Sequence, residues 1–314
     1  MKGMLYTADH HVYELPPLLE WNVRHTGTVP CDSWSVTAVY RPEMAPVLKM
    51  AAGFAAVEDG QTQLRGIVDE YSVELDQNGL TVTLAGRGYA ARLLDNESRP
   101  VTYERVTLRE LLRRHAEPYG ITVGEAVELS SAAPYTAGAG SSQWKVISEF
   151  CRVYGGFLPR FSKTGELLAA PEQAGRQLVL DESSPIRSCR LREDHYGVIT
   201  EALVIDKRQN ISYSVQNPEM IRKGGQCRRV VYTPGKSTWA AMRYTGEYQI
   251  QQSRQDEKTV TVSLPGSFGA FPGDRAELRL SKLGLEGFFR VAEAENRFSA
   301  REGAVMTRTL KECE

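Results

Sequence analysis

Apolar and polar residues alternate most regularly between Arg65 and Arg87. Gly66 to Leu75 carries Ile67, Val68, Tyr71, Val73 and Leu75, with strict alternation from Tyr71 onward. Such a run predicts a strand with one face on a core and the other in water. Leu80 to Leu84 reads Leu-Thr-Val-Thr-Leu, a period-2 pattern rich in β-branched side chains. Between them lies Asp76-Gln77-Asn78-Gly79, where Asn78-Gly79 supplies the positive-φ residues of a tight hairpin turn. The same grammar returns near the other end. Gly287 to about Phe298 and Ala304 to Leu310 flank a turn at 299–303. A short strand precedes each hairpin, Ala55 to Glu58 and Arg275 to Leu280, and a glycine, Gly66 or Gly287, opens it. The linkers and turns differ, so the pattern reads as a degenerate duplication of a three-strand meander.

The rest of the chain sorts around these hairpins. Residues 1–60 read as strands: Val12 to Leu15, Leu18 to Val23, Ser33 to Tyr40 with Trp34, Val36 and Ala38 on one face, and Leu48 to Phe54 feeding Ala55. Residues 101–170 change character. Thr107-Leu108-Arg109-Glu110 is a capping box, with Val106 and Leu111 as its hydrophobic staple. It opens a helix with Leu108, Leu111, Leu112 and His115 on one face, ending by Pro118 and Gly120. Ile121 to Val123 is a short strand and Ser130 to Gly140 a polar loop. Ser141 or Ser142 caps a second helix bearing Trp144, Ile147, Phe150, Cys151 and Tyr154, closed by Gly155-Gly156. A hairpin follows, turning at 162–165. Beyond it, strands are predicted at 186–191, 198–206, 211–215, 228–232 and 258–264. A helix over 237–252, with Ser237 as its cap, presents Trp239, Met242, Gly246 and Ile250 on one side.

The predicted fold is therefore mainly β (α+β): two related antiparallel β-barrel domains with a small α/β module between them. The boundaries are 1–97 for the first barrel, 98–175 for the helix–strand–helix–hairpin module and 176–314 for the second barrel, with an inserted helical segment at about 217–256. A length of 314 residues fits two or three domains.

Composition narrows function chiefly by exclusion. Hydrophobic content is 41%, charged content 25% and net charge −1, so no whole-chain field draws it to nucleic acid or anionic lipid. No apolar run approaches the roughly 18 residues of a membrane span, and residues 1–10 lack a secretory hydrophobic region, which predicts a protein kept in a cytoplasm. The five cysteines, Cys31, Cys151, Cys189, Cys227 and Cys313, are odd in number and widely spaced, against both a disulfide framework and a zinc site. His10-His11 on a strand would face opposite ways. Asp69-Glu70 are adjacent, and Glu293 and Glu295 share one face with Arg297, so neither set offers the opposed carboxylates of a glycosidase. Gly86-Arg87-Gly88 and Gly53 do not form a phosphate loop, and Gly138 to Ser142 lacks the lysine of one. The Ile221 to Arg229 stretch is the densest in cations; it reads first as a flexible solvated loop and second as an interface with an acidic partner. The expected catalytic, cofactor and metal sites are accordingly none.

Two stretches then resemble a known family. Arg65 to Tyr71, and Gly86 to Glu97 (Gly-Arg-Gly-Tyr-Ala-Ala-Arg-Leu-Leu-Asp-Asn-Glu), resemble the central baseplate hub proteins of contractile phage tails. These are the Mu-like and Bacillus-prophage-like hub proteins, with the late control protein D family further off. The helix from Ser142 to Tyr154 running into Gly155 to Leu158 is similar to their small α/β module. Lys258 to Leu264, Pro265-Gly266 and Pro272 to Asp274 look like their second barrel. The motifs are short; their order and spacing, over nearly the whole chain, carry the likeness. The resemblance implies a homotrimeric, pseudo-six-fold ring with no catalytic residues. It would join the tail tube to the central spike, beside other baseplate and tape-measure proteins, in a phage, prophage or tailocin particle built in the bacterial host cytoplasm. Neither a membrane nor sequence-specific nucleic acid is among the implied partners. The rivals are a cell-wall-degrading tail enzyme using Asp69 or Glu70, and a glycan-binding β-protein. The latter would display Trp21, Trp34, Trp144 and Trp239 together on a surface; Trp34 and Trp144 are expected in cores instead.

Overall fold

A computed structural model describes the chain except residues 28, 31, 78, 132–133, 174, 234–237, 256 and 313–314. The protein is mainly β, with mostly antiparallel sheets. In the N-terminal region the strands are β1 Lys2–Thr7, β2 Val12–Glu14, β3 Leu18–His25, β4 Ser33–Val39, β5 Ala51–Glu58, β6 Gln61–Ile67, β7 Glu70–Asp76 and β8 Gly79–Arg87, with helices α1 Ala45–Met50 and α2 Ala90–Leu94. One sheet runs β2-β1-β5-β6 and another contains β3-β4-β8-β7. Period-2 burial places Trp34, Val36 and Ala38 of β4 in the core between them, as their alternation predicts. Sequence periodicity missed β1, because its inward positions are Gly3, Leu5 and Thr7, two of which do not read as apolar. The 48–54 run is not one strand: Pro42 and Pro46, each at a helix start, initiate helical turns that end at Met50.

Three glycines let the first region close. Trp34 stacks on Phe54 at 3.8 Å and donates its Nε1–H to the Ile67 carbonyl at 3.1 Å. Around that indole the end of β6 crosses β8. A Cβ on Gly66 would lie 2.2 Å from the Arg87 carbonyl oxygen, and one on Gly86 2.0 Å from that of Ile67. Gly66 and Gly88 form a β-bridge at the crossing. The Gly86-Arg87-Gly88 sequence is thus a place where two backbones touch. The long first strand expected over Gly66 to Leu75 breaks here into β6 and β7.

In the middle region β9 Val101–Tyr103, α3 Leu108–His115, β10 Val123–Ala126, β11 Tyr135–Ala137, α4 Gln143–Phe150, β12 Arg160–Phe161 and β13 Leu167–Ala169 share a second core, around Leu111, Leu112, Ile147 and Phe150. Thr107 caps α3 by accepting from Glu110 N at 3.2 Å, but the Glu110 carboxylate takes Arg114 at 2.9 Å instead of reaching back. Ser142, not Ser141, caps α4, accepting from Lys145 N at 3.1 Å. Part of the expected 130–140 loop is β11, which pairs antiparallel with β9.

The C-terminal region has β14 Gln177–Asp181, β15 Ser188–Glu193, β16 Glu201–Asp206, β17 Ile211–Gln216, α5 Pro218–Arg222, β18 Arg228–Tyr232, α6 Trp239–Arg254, β19 Lys258–Pro265, β20 Arg275–Leu280, β21 Leu285–Ser299 and β22 Gly303–Glu312. Between β15 and β19 lies more than a helical segment: a β17-β16-β18 sheet is covered by α6, whose buried Met242 and Gly246 face it. A Cβ on Gly246 would lie 2.4 Å from Val215 Cγ2, which explains a glycine in mid-helix. Thr238 caps α6 by accepting from Ala241 N; the expected cap, Ser237, lies outside the described residues.

Candidate functional site: a repeated sheet with two open edges

The chain's largest sheet has the strand order β15-β19-β22-β21-β3-β4-β8-β7, with β20 and β14 branching from β21. Each half repeats one arrangement. Numbering four strands by chain order, β15, β19, β21 and β22 lie in space as first, second, fourth, third, and β3, β4, β7 and β8 do the same. All pairings within both halves are antiparallel. The hairpins align in register as well. Tyr71 faces Leu84 and the ladder closes at Asp76–Gly79; Ala294 faces Arg308 and closes at Ser299–Gly303, the same number of steps away. The meander duplication extends upstream, because β5 pairs β6 as β20 pairs the first half of β21. The two opening glycines, however, are not equivalent. Gly66 is required by the close approach to Arg87, whereas Gly287 sits at φ 133° with open space around its α-carbon.

The halves meet head to tail. The third strand of the C-terminal unit, β21, pairs antiparallel with the first strand of the N-terminal unit, β3, from Ala294↔His25 to Ser299↔Glu20. On the polar face of this seam Arg24 Nη2 reaches Glu293 Oε2 at 2.6 Å and Asn22 Nδ2 donates to Glu295 Oε1 at 2.9 Å. The two carboxylates singled out from the sequence are therefore cross-strand partners. On the other face Trp21 stacks against Phe268 and Phe298, at 5.5 and 6.2 Å. Phe268 N donates to Asn296 Oδ1 at 2.9 Å, tying the β19–β20 loop over the seam. Beside it lies Arg308, fully buried where the N-terminal unit has Leu84. Its Nη1 donates to the Glu295 and Thr307 carbonyls at 2.9 Å, and its Nη2 to Asn296 Oδ1 at 2.8 Å. Burial pulls its pKa down to about 10.

The same construction leaves two strands with one neighbour each among the described residues. β7 pairs only with β8, and β15 only with β19. All seven residues of β7 are exposed, including Tyr71 and Val73 at 42% and Leu75 at 77%. The core face expected for this strand is present in its alternation but uncovered in the single chain. A bare edge with an apolar face is what monomeric sheets are built to avoid.

The remaining candidates separate. Arg87 holds Asp69 through two hydrogen bonds of 2.8 and 2.9 Å and Asp95 through two more. The guanidinium pulls the Asp95 pKa down, and the carboxylates push that of Arg87 up. Asp69 is thus committed to an ion pair, and Glu70 starts the exposed edge. A cleft of about 500 Å³ beside the seam contains Glu14 and Glu58, but Glu14 pairs with Lys2 at 2.9 Å and Glu58 with the Met1 ammonium at 3.7 Å. His11 pairs with Asp9 at 3.1 Å, and no cluster of three His, Cys, Asp or Glu side chains suited to a metal occurs among the described residues. Two cations of the 221–229 stretch are ion-paired, Lys223 with Glu219 and Glu257, and Arg228 with Glu201. Trp21, Trp34 and Trp144 are buried and Trp239 is exposed, so the tryptophans do not form a common surface. Cys151, Cys189 and Cys227 are free thiols; Cys31 and Cys313 lie outside the described residues.

This fold is that of phage and prophage tail proteins. A tail protein from Neisseria meningitidis MC58 superposes with a TM-score of 0.79 at 16% identity, covering 99% of this chain and 96% of that one. A 43 kDa tail protein of prophage MuSo2 from Shewanella oneidensis gives 0.79 at 14%, over 99% and 97%. The E. coli c3393 protein, a type VI secretion component with structural similarity to T4 tail proteins gp27 and gp5, gives 0.56 at 9%, over 95% and 74%. No family model and no curated protein matches the sequence.

Proposed function

We propose that the chain is a structural baseplate hub protein of a contractile phage tail or tailocin, a homotrimer whose ring joins the tail tube to the central spike. The observation that carries this is the head-to-tail repeat. A seam joining the third strand of one unit to the first strand of the next is heterologous, and a heterologous contact either closes into a ring or grows without end. One chain holds one such seam internally and exposes the two edges needed for another. Three chains then present six similar four-strand units around an axis, matching a six-fold tube on one side and a three-fold spike on the other. The fold shared with tail proteins supports the same setting, inside a virion or tail-like particle assembled in the bacterial host, with other baseplate and tape-measure proteins as neighbours. In this reading residues 1–97 and 176–314 are the two ring-forming domains. Residues 98–175, and the insert that includes 217–256, decorate the ring. The role is non-enzymatic: the functional element is a backbone ladder rather than a reaction centre. Co-expression with the particle's spike and tube proteins tests it. A complex with three copies of this chain per spike trimer is expected; a chain that binds neither protein would refute the assignment.

A further inference from the structure

The ring reading leaves open which backbone atoms meet between copies, and the internal seam contains that information. We propose that β7 of one copy pairs antiparallel with β15 of the next in the register of the β21–β3 seam, so that Val73 faces Leu191, Glu74 faces Arg190 and Leu75 faces Cys189.

The register follows from superposing the two units by their ladders. Val36 corresponds to Val262, because that choice makes the two hairpins close at the same distance. Trp21 then corresponds to Cys189, Val23 to Leu191 and Arg24 to Arg192. Tyr71 corresponds to Ala294, Val73 to Asn296 and Leu75 to Phe298. Transferring Asn296↔Val23 and Phe298↔Trp21 to the open edges gives Val73↔Leu191 and Leu75↔Cys189. The chemistry of both faces agrees. The exposed apolar residues Val73, Leu75 and Leu191 come together on the side that is buried elsewhere in the sheet. On the polar side Glu74 stands opposite Arg190, and neither has an ion-pair partner among the described residues. Glu70 falls diagonal to Arg192, the placement of Glu293 and Arg24 in the seam. A shift of one residue would set the apolar face against Arg190 and Arg192, and a shift of two would break the equivalence with the seam.

This inference rests on the ring reading, and the test separates the two. Directly opposed residues on antiparallel strands have Cα atoms about 4.5–5.5 Å apart, within the range a disulfide spans. The variant Leu75→Cys, oxidised with copper–phenanthroline, is expected to cross-link to native Cys189 of another copy. It should run as covalent dimers and trimers, with the 75–189 linkage found by peptide mass mapping and lost in L75C/C189S. Val73→Cys and Tyr71→Cys, out of register with Cys189, should link at least ten-fold less. Separately, Glu74→Arg should abolish the trimer in sedimentation, and E74R/R190E should restore it. If trimers form but V73C links better than L75C, or the charge swap fails to rescue, the register is wrong and the ring stands. If the wild-type chain and all variants remain monomeric with spike and tube present, the ring reading itself falls.

Discussion

Gly86 carries no side chain because the Ile67 carbonyl occupies the place a Cβ would take, 2.0 Å away. Backbone cannot swing aside as a flexible side chain can, so Gly86→Ala has to separate β6 from β8 and loosen the hydrogen bond from Trp34 of β4 to the Ile67 carbonyl of β6. A loss of about 2 kcal/mol or more is expected, read as a fall in the urea midpoint of the purified chain; an unchanged midpoint would mean the crossing is not tight. His115 makes a second residue-scale case. Gln143 donates through Nε2 to Glu97 O and Tyr119 OH, so its Oε1 is the acceptor for His115 Nδ1–H at 2.6 Å, and His115 Nε2 accepts from Tyr103 OH at 3.0 Å. The ring is held neutral, and burial lowers its pKa from the ordinary value of 6.5. The unfolded chain therefore binds a proton first as pH falls, so stability is full above about pH 6.5 and declines below it toward the folded pKa. Thermal denaturation between pH 7 and 5 should show this slope, and His115→Gln should flatten it. The sequence revealed His115 on an apolar face but not its tautomer, which depends on Gln143 and Tyr103 brought together by folding.

Among elements, β7 shows most clearly where sequence reading succeeds and stops. Its alternation predicts a strand with one apolar face, and the strand forms, yet every residue is exposed in the single chain. Periodicity reports that a face is to be covered, not which chain covers it. The elements read best, α3 and α4 with their Thr107 and Ser142 caps, are those whose signals are local. Those read poorly depend on distant partners. β1 hides its inward face behind Gly3 and Thr7, and β11 is a strand only because β9 pairs with it. The strands β16, β17 and β18 lie where they are expected, but their order in the sheet includes a parallel pairing that no local turn announces. The seam residues Glu293 and Glu295 were visible as a carboxylate pair, but Arg24 and Asn22, roughly 270 positions away, were not visible as their partners. Val73→Asp follows at this scale. Monomer stability should change by less than about 0.5 kcal/mol, since an exposed position is altered, while trimer formation should fail. A stable trimer with V73D would remove β7 from the interface.

For the whole molecule, the decisive feature is that one polypeptide contains the same four-strand arrangement twice, joined in a way that leaves a matching joint unmade. That organisation was partly legible as a duplicated hairpin. The two units have diverged enough that Arg308 stands where Leu84 does and Gly66 and Gly287 serve different ends, so the true register emerges only from hydrogen-bond ladders. The ion pairs of Asp69, Glu58 and Glu293 also explain why acidic residues recur without forming a reaction centre. The most direct measurement is electron microscopy of the purified chain, with its spike protein added if needed. Class averages should show a three-fold ring of three 35.0 kDa copies with six similar lobes around an open centre; isolated monomers, or a two-fold particle, would contradict the account.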